Sequence, residues 1–239
     1  MLLDHIAKLL PVADRLSPLF GMESARMLQD AMVIIGRMAF PMFAWFIVEG
    51  CRKTSSLRKY ALRLAVFALL SEVPFQLCFY GGVAGLKLAC HNVMFTMLLA
   101  VLAIWTAQTL RNHRVPAAAA NLLPAAVAIS LGWFLHTDYN AWGVALILGL
   151  YYMRDRKGQY LWMAAWITVF QLIWHGWNGA TLIWFTHSGS ILLLYWIGAL
   201  LSVPLLMTYS GEQGKKCKWL FYVFYPSHLL LLFLLRSVI

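Results

Sequence analysis

The sequence of 239 residues has few charged side chains: Asp, Glu, Lys and Arg make up 12%, against 62% hydrophobic residues. A soluble domain needs a polar surface to cover its core, and a chain with a mean hydropathy of +0.72 lacks one. Ser/Gly-rich linkers, low-complexity tracts and polar segments of domain size are also missing. The composition excludes a soluble protein and predicts one integral membrane domain over residues 1–239.

Acidic residues and cysteines are scarce as well. The 9 Asp and Glu face 19 Lys and Arg, but these cations occur in short clusters between apolar segments, where membrane orientation and anionic lipid account for them. Nucleic acid is therefore not expected as a partner. The four cysteines have no metal-ligand spacing, so no metal is expected. Cys78 and Cys90 flank one connection, which leaves a disulfide between them open.

Long apolar windows fill most of the chain. A bilayer core requires about 20 residues per helix, and windows of about this length cover 27–50, 61–80, 92–110, 117–136, 140–153, 159–176, 188–209 and 219–236. The window at 140–153 is short for a span, which a short or tilted helix accommodates. The pattern predicts an all-α, polytopic helical bundle with about eight or nine transmembrane segments.

The basic clusters occur at every second connection. By the positive-inside rule, this alternation predicts cytoplasmic loops at 51–60, 111–116, 154–158 and 211–218. Segment 27–50 then runs from outside to inside, which requires an earlier crossing. Residues 1–12 are too short to span, so either a half-helix enters the membrane or the natural start lies upstream; we favour the second. Residues 13–26 would be an outer connection lying at the interface.

An arginine lies inside the apolar segment 36–50. A lone guanidinium among apolar helices is costly and marks a functional site by default. Pro41, four residues after Arg37, has no N–H to donate to the Arg37 carbonyl, which predicts a kink and exposed polar backbone. The alternative is a structural arginine paired with Asp30 or Glu72.

Asp4 and His5 lie in the first apolar segment. Adjacent helical residues diverge by about 100°, so Asp4 is better placed for Lys8 at i+4, while His5 is left to meet another helix. The alternative is an ordinary interfacial charge cluster.

Polar residues also accompany two further prolines, Pro74 and Pro226. Pro226, like Pro41, is expected to break its helix, and the last segment is expected to pack beside the first two and bring His228 close to Arg37. Glu72 lies near the outer end of its segment, Asn92 begins the next segment, where helix capping is the alternative role, and His228 follows Pro226. These residues, like His5 and Arg37, map to the outer halves of their segments. Such convergence is typical of a site for a polar substrate.

Six motifs in order carry a family resemblance. They are Met1-Leu2-Leu3-Asp4-His5-Ile6, Gly36-Arg37-Met38-Ala39-Phe40-Pro41-Met42-Phe43, Ser71-Glu72-Val73-Pro74-Phe75, Asn92-Val93-Met94-Phe95-Thr96, Asp138-Tyr139-Asn140-Ala141-Trp142-Gly143 and Phe224-Tyr225-Pro226-Ser227-His228-Leu229. With them the chain resembles the TraX family of bacterial membrane acetyltransferases, typified by the pilin N-acetylase of conjugative plasmids. The resemblance covers nearly the whole chain and departs only at its start, where the first helix is short.

The resemblance implies an acyltransferase of the bacterial cytoplasmic (inner) membrane that takes an acetyl group from cytoplasmic acetyl-CoA. Acyl transfer needs a base for the acceptor proton and donors for the oxyanion. His5 suits the first role and Arg37 or Asn92 the second, with His228 as a further catalytic candidate. Supporting roles are predicted for Asp4, Glu72, Tyr139 and Tyr225. CoA phosphates are expected to meet Arg52, Lys53, Arg58, Lys59 and Arg63, whose alternative role is membrane orientation only.

Two other classes of function remain open. A transporter or lipid flippase would use the same buried charges as a substrate or proton path. A scaffold for partner subunits gives no reason for five polar groups at one depth. The acceptor is not specified by the sequence, because a pilin-type N terminus, another peptide and a glycan all fit an outward-opening site.

Overall fold

The computed structural model describes residues 1–80, 90–177, 187–212 and 218–238, and every regular element in these ranges is an α-helix. The all-α prediction is confirmed. The predicted connection at 81–89, the middle of the connection at 175–188, and Cys217 lie outside the described residues.

Twelve helices occur in the described ranges. They are α1 (Leu2–Leu9), α2 (Val12–Phe20), α3 (Met22–Arg37), α4 (Ala39–Lys53), α5 (Leu57–Phe79), α6 (Val93–Asn112), α7 (Ala117–Phe134), α8 (Asn140–Tyr152), α9 (Arg156–Trp177), α10 (His187–Leu200), α11 (Ser202–Met207) and α12 (Lys218–Val238).

Five helical stretches within the described ranges are long and apolar enough to cross a membrane: Met22–Lys53, Leu57–Phe79, Val93–Asn112, Ala117–Phe134 and Trp219–Val238. Shorter apolar helices cover Asn140–Tyr152 and Leu193–Met207. The chain is a membrane protein, as predicted. The number of eight or nine crossings stays a prediction.

The amino-terminal region is helical over most of its length. Residues 13–26, predicted as an outer connection lying at the interface, contain most of α2 and the start of α3 at Met22, and their position at the interface stays a prediction. Gly21, with φ of +80°, makes the turn between these two helices. Helix α1 has eight residues, or about 12 Å of rise, which is too short to span a core of about 30 Å.

The prolines act differently from one another. The predicted interruption near Pro41 is found at Met38, where α3 ends and α4 follows. The helical hydrogen bonding is interrupted in the turn before Pro41, because Pro41 has no N–H to donate to the Arg37 carbonyl. Pro74 and Pro226, by contrast, lie inside continuous helices. The prediction that Pro226 breaks its helix is therefore wrong, because the helical bonds on either side of it are enough to continue α12.

One unit of the fold comprises residues 1–43, 160–215 and 232–239. Within it, α1, α2 and α10 all pack against α3. Small residues permit the close contacts: a Cβ added to Gly36 would lie 3.0 Å from the Asp4 Cα, and one added to Gly198 would lie 2.5 Å from the Ile34 carbonyl oxygen. We call this the α3 unit.

The second unit comprises residues 44–159 and 216–231, and here α5, α7 and α8 pack against α6. Helix α6 starts at the Asn92 cap, and its Ala100, Val101, Ile104 and Ala107 are fully buried. These small and branched residues at i, i+4 and i+7 spacing form a continuous apolar face at the centre of the unit. We call this the α6 unit.

The topology predicts that a cysteine replacing Ser55 is shielded from an impermeant maleimide added outside the cell, because loop 51–60 is predicted to face the cytoplasm. Ser55 is exposed, whereas Ser56 caps α5 by accepting a hydrogen bond from the Lys59 N–H, and is better left intact. The measurement is labelling of intact cells in a background without native cysteines. Leu135→Cys, exposed in the predicted outer connection after α7, is the control and should be labelled. Strong outside labelling at position 55 would overturn the topology.

Candidate functional site

The first polar cluster, in the α3 unit, centres on Arg37. The Arg37 Nη2 donates to Asp4 Oδ1 at 3.0 Å, and Lys8 Nζ donates to Asp4 Oδ2 at 2.8 Å. The side chains of Asp4 and Arg37 are 13% and 28% exposed, while that of Lys8 is 40% exposed. Among the described residues, the Arg37 Nε is buried without a hydrogen-bond partner. We call Asp4, Lys8 and Arg37, together with Tyr195 of α10, the Arg37 cluster.

The Asp4–Lys8 contact confirms the i+4 prediction. The alternative reading of Arg37 named Asp30 or Glu72 as its partner, and that pairing is wrong, because Arg37 pairs with Asp4. Asp30 lies seven residues before Arg37, about two turns or 10 Å along the same helix, which separates the two side chains. Asp4 comes close because Gly36 lets the α1 backbone approach α3. Asp4 therefore holds Arg37 directly and does not act only around Lys8.

Tyr195 of α10 is a member of this cluster that the sequence analysis missed. Its ring lies under the Arg37 guanidinium, with 5.5 Å from Cζ to the ring centroid. Such a contact contributes about 0.5–2 kcal/mol depending on desolvation. Tyrosines at segment ends belong to the interfacial belt, but Tyr195 lies in the middle of window 188–209. Its position away from the segment ends was the sequence feature that could have identified Tyr195 as a site residue.

His5 is buried on α1, with 8% of its surface exposed. Its N–H donates to the Met1 carbonyl at 3.0 Å, which continues the helix. His5 is next to Asp4 in the chain and therefore shares the α3 unit with Arg37. The predicted base and one predicted oxyanion donor thus belong to the same packed unit.

The second polar cluster, in the α6 unit, centres on the Glu72 carboxylate. Its Oε1 accepts hydrogen bonds from Gln76 Nε2 at 2.8 Å and from the His91 N–H at 3.1 Å. Its Oε2 accepts from the Asn92 N–H at 3.2 Å and from Asn92 Nδ2 at 2.6 Å. Four donors satisfy this buried carboxylate, which fixes the connection between α5 and α6. We call it the Glu72 cluster.

Asn92 performs the capping role that was its predicted alternative. Its Oδ1 accepts from the Met94 N–H at 3.0 Å, and its Nδ2 donates to the Ala68 carbonyl at 2.9 Å as well as to Glu72. An amide has two N–H donors, and both are engaged here. Asn92 therefore offers a substrate oxygen no donor in this conformation.

The connection between α7 and α8 closes over this cluster. The Asp138 N–H donates to the His91 carbonyl at 2.7 Å, and the Thr96 hydroxyl contacts both Thr137 and the Asp138 carbonyl. Tyr139 adopts a left-handed backbone with φ of 61°. For a non-glycine residue this conformation costs about 1–3 kcal/mol and persists only where surrounding contacts impose it.

Two aromatic hydroxyls lie near these acids. Tyr225 of α12 is buried, hydrogen-bonded to the Val93 backbone and within electrostatic range of Asp138, Glu72 and Tyr139. Tyr80, at the end of α5, stacks on His91 with ring centroids 4.7 Å apart. Burial, and then the charges of Asp138 and Glu72, raise the pKa of the Tyr80 hydroxyl above its ordinary value. Tyr80 therefore remains a proton donor at neutral pH.

His228 is buried on α12 with 4% of its surface exposed. Its Nδ1 lies 2.7 Å from the Phe224 carbonyl oxygen, and its ring stacks on Phe224 at 4.8 Å between centroids. A carbonyl only accepts, so Nδ1 carries the proton and Nε2 carries the lone pair of the neutral ring. The tautomer suits a base as well as a packed core histidine.

The five predicted CoA-binding cations have different surroundings. Arg52 Nη2 donates to the carbonyls of Leu150, Tyr151 and Met153 and so caps α8, and Lys53 pairs with Glu49 at 3.1 Å. Arg63 lies over the Tyr60 ring, 5.7 Å from its centroid. Arg58 and Lys59 are exposed.

The predicted site residues thus fall into two groups. The α3 unit holds Asp4, His5 and Arg37, and the α6 unit holds Glu72, Asn92, Tyr139, Tyr225 and His228. The predicted approach of His228 to Arg37, and the common depth of all five polar groups, stay predictions.

The cysteines form no disulfide among the described residues. Cys78 and Cys90 are thiols, and the Cys78 Sγ donates to the Leu229 carbonyl at 3.1 Å. The Cys78–Cys90 pairing that the sequence left open is not formed, and Cys78 is instead buried against α12. Burial and the Glu72 charge raise the pKa of the Cys90 thiol.

These features define a class: a helical membrane protein with ionised groups buried among its apolar helices. The chain belongs to the TraX protein family, whose family model matches residues 1–236. It is similar to the probable fimbrial assembly protein FimC, serogroup H1, of Dichelobacter nodosus, with 27% identity over 217 residues. That alignment covers 85% of this chain and 82% of the relative. No solved structure matches the chain.

Asp4→Ala should destabilise the protein by about 3 kcal/mol, because it leaves the half-buried Arg37 guanidinium without its counter-ion. Lys8→Ala removes the exposed partner of the same carboxylate and should cost less than about 1 kcal/mol. The free energy of unfolding in detergent measures both. Equal losses for the two variants would contradict the central place of the Asp4–Arg37 pair.

Proposed function

We propose that the protein is a membrane acetyltransferase that moves an acetyl group from acetyl-CoA to an amine or hydroxyl of an acceptor. The observation that carries the proposal is the half-buried Asp4–Arg37 pair, next in the chain to the buried His5, in a chain of the TraX family. Ionised groups within apolar helices of a membrane protein mark a functional site by default. In an acetyl transfer, such groups can accept the proton of the acceptor and stabilise the oxyanion.

His5 is the proposed base. In the transfer, the acceptor nitrogen or oxygen attacks the thioester carbonyl and its proton passes to the His5 imidazole. The C–S bond then breaks, the C–N or C–O bond remains, and the proton goes to the CoA sulfur, which leaves as a thiol. A neutral imidazole, with an unperturbed pKa near 6.5, is available for this at cellular pH.

Arg37 is the proposed donor to the tetrahedral oxyanion. A guanidinium has five N–H groups, and Asp4 occupies one of its ends. Asp4 engages only Nη2, and the side chain is 28% exposed, so the proposal assigns the remaining N–H groups to a substrate oxygen. Asn92, with both amide hydrogens engaged, supports this role less well. The positive charge contributes only as the oxyanion forms, which is how catalysis gains over binding.

The acceptor is a fimbrial or pilin subunit, by the same proposal. The support is the name of the relative from Dichelobacter nodosus, a probable fimbrial assembly protein. A pilin N terminus supplies the amine that N-acetylation needs, while another peptide or a glycan is the alternative acceptor. The proposed location is the bacterial cytoplasmic membrane, where a cytoplasmic donor and an exported acceptor meet.

His5→Ala should lower acetyl-CoA-dependent labelling of the acceptor by about 10²- to 10⁴-fold, the usual contribution of a general base. Binding of CoA and folding should change little, because the base acts on the acceptor proton in the transition state. Membranes that express each variant with the acceptor provide the measurement.

His228→Ala is the matched comparison, since it removes the other buried histidine. A wild-type rate for His5→Ala together with a loss for His228→Ala would move the base to α12. Arg37→Lys keeps the charge but not the planar fork, so it should also lose turnover.

A further inference from the structure

The α6 unit contains a cavity of about 570 Å³ at the turn between α4 and α5. Its walls come from the end of α4, the start of α5, the last turns of α6 and the end of α8. Small-molecule and cofactor sites have volumes of about 300–1,000 Å³. The cavity is therefore large enough for a substantial part of a cofactor.

The lining of this cavity favours an anion. Its twelve residues include two arginines, Arg52 and Arg58, and no carboxylate. The other polar members are hydroxyls and amides, among them Gln108 and Asn112 of α6. All of these donate hydrogen bonds, and a phosphate accepts several at once.

The two arginines are not equivalent. Arg52 is committed to three carbonyls at the end of α8 and lies 4.0 Å from Glu49. Arg58 is exposed on the first turn of α5, and no ion pair joins it to a described residue. Arg58 therefore has the charge that a ligand can use, and Arg52 holds the wall in place.

Aromatic rings complete the lining. Trp105 and Tyr151 border the cavity, and the Tyr151 hydroxyl accepts a hydrogen bond from Gln108 Nε2 at 2.8 Å. Aromatic faces stack on nucleobases without regard to base identity. A phosphate donor set next to aromatic rings is the chemistry of a nucleotide site.

We propose that this cavity binds the phosphorylated adenosine end of the CoA donor, with Arg58 on a phosphate and Trp105 against the adenine. This inference rests on the proposed function and assigns the donor site to one cavity and one principal cation. Arg58 is thereby distinguished from Lys53, Lys59 and Arg63, which do not line the cavity. An anionic lipid headgroup has the same phosphate chemistry but no base.

The test is calorimetric binding of CoA and of 3′-dephospho-CoA to purified protein in nanodiscs of phosphatidylcholine. Arg58→Ala should weaken CoA binding by about 10- to 100-fold, the effect of losing a hydrogen bond to a charged group. Arg111→Ala removes an arginine of α6 that is also exposed but is not part of the lining, and should change affinity less than threefold. Equal effects of the two variants, or none from either, would overturn the proposal.

A second variant tests the cavity without altering Arg58. Ser55→Glu places a carboxylate in the lining at an exposed position and should repel CoA at least as strongly. An unchanged affinity for Ser55→Glu would contradict the assignment. Repeating the titration with phosphatidylglycerol in the discs separates the two sources of phosphate: a lipid site would lose CoA binding to the anionic lipid in wild type, and this too would overturn the proposal.

The two proposals can fail separately. CoA binding that depends on Arg58 in a protein without acetyl transfer would keep the donor site and reject the acetyltransferase. Acetyl transfer whose KM for acetyl-CoA is unchanged in Arg58→Ala would keep the acetyltransferase and reject the donor site.

Discussion

The ion pair between Asp4 and Arg37 determines how the amino-terminal helices pack. A guanidinium among apolar helices requires a counter-ion, and Asp4 of α1 supplies it. Helix α1 has only eight residues and is too short to be anchored by crossing the membrane. The contact exists because Gly36 has no side chain to keep α1 away. The Tyr195 ring also lies against the guanidinium. The position of His5 follows from the same contact, since it is the next residue on α1.

The two polar clusters differ in how many of their hydrogen-bonding groups have partners. This difference favours a structural role for the Glu72 cluster and a chemical role for the Arg37 cluster. Glu72 accepts four hydrogen bonds and Asn92 uses both amide hydrogens, so these groups lock the α5–α6 connection. Arg37 makes one ion pair, to Asp4, and its side chain is 28% exposed. A fully satisfied network rigidifies its surroundings, whereas a partly exposed guanidinium can contact a ligand. A transporter would use the same guanidinium to bind its substrate, and release of CoA thiol distinguishes the two functions.

The sequence predicted the parts of the fold that depend on local rules. Apolar windows located the helices, the i+4 spacing located the Asp4–Lys8 pair, and Asn92 was recognised as a cap candidate. The sequence did not predict the contacts between segments that are distant in the chain. Asp4 as the partner of Arg37 depends on a backbone approach at Gly36, and Tyr195 depends on α10 packing against α3. The effect of a proline also depends on context, as the different outcomes at Pro41 and Pro226 illustrate.

Acetyl transfer by this chain can be measured by following labelled acetyl-CoA incubated with the purified wild-type protein and a pilin subunit. We expect release of CoA thiol together with label on the acceptor, both dependent on the protein. A transporter or flippase would move its substrate while leaving the thioester intact. Absence of thiol release in protein that is folded and binds CoA would show that the chain is not an acetyltransferase.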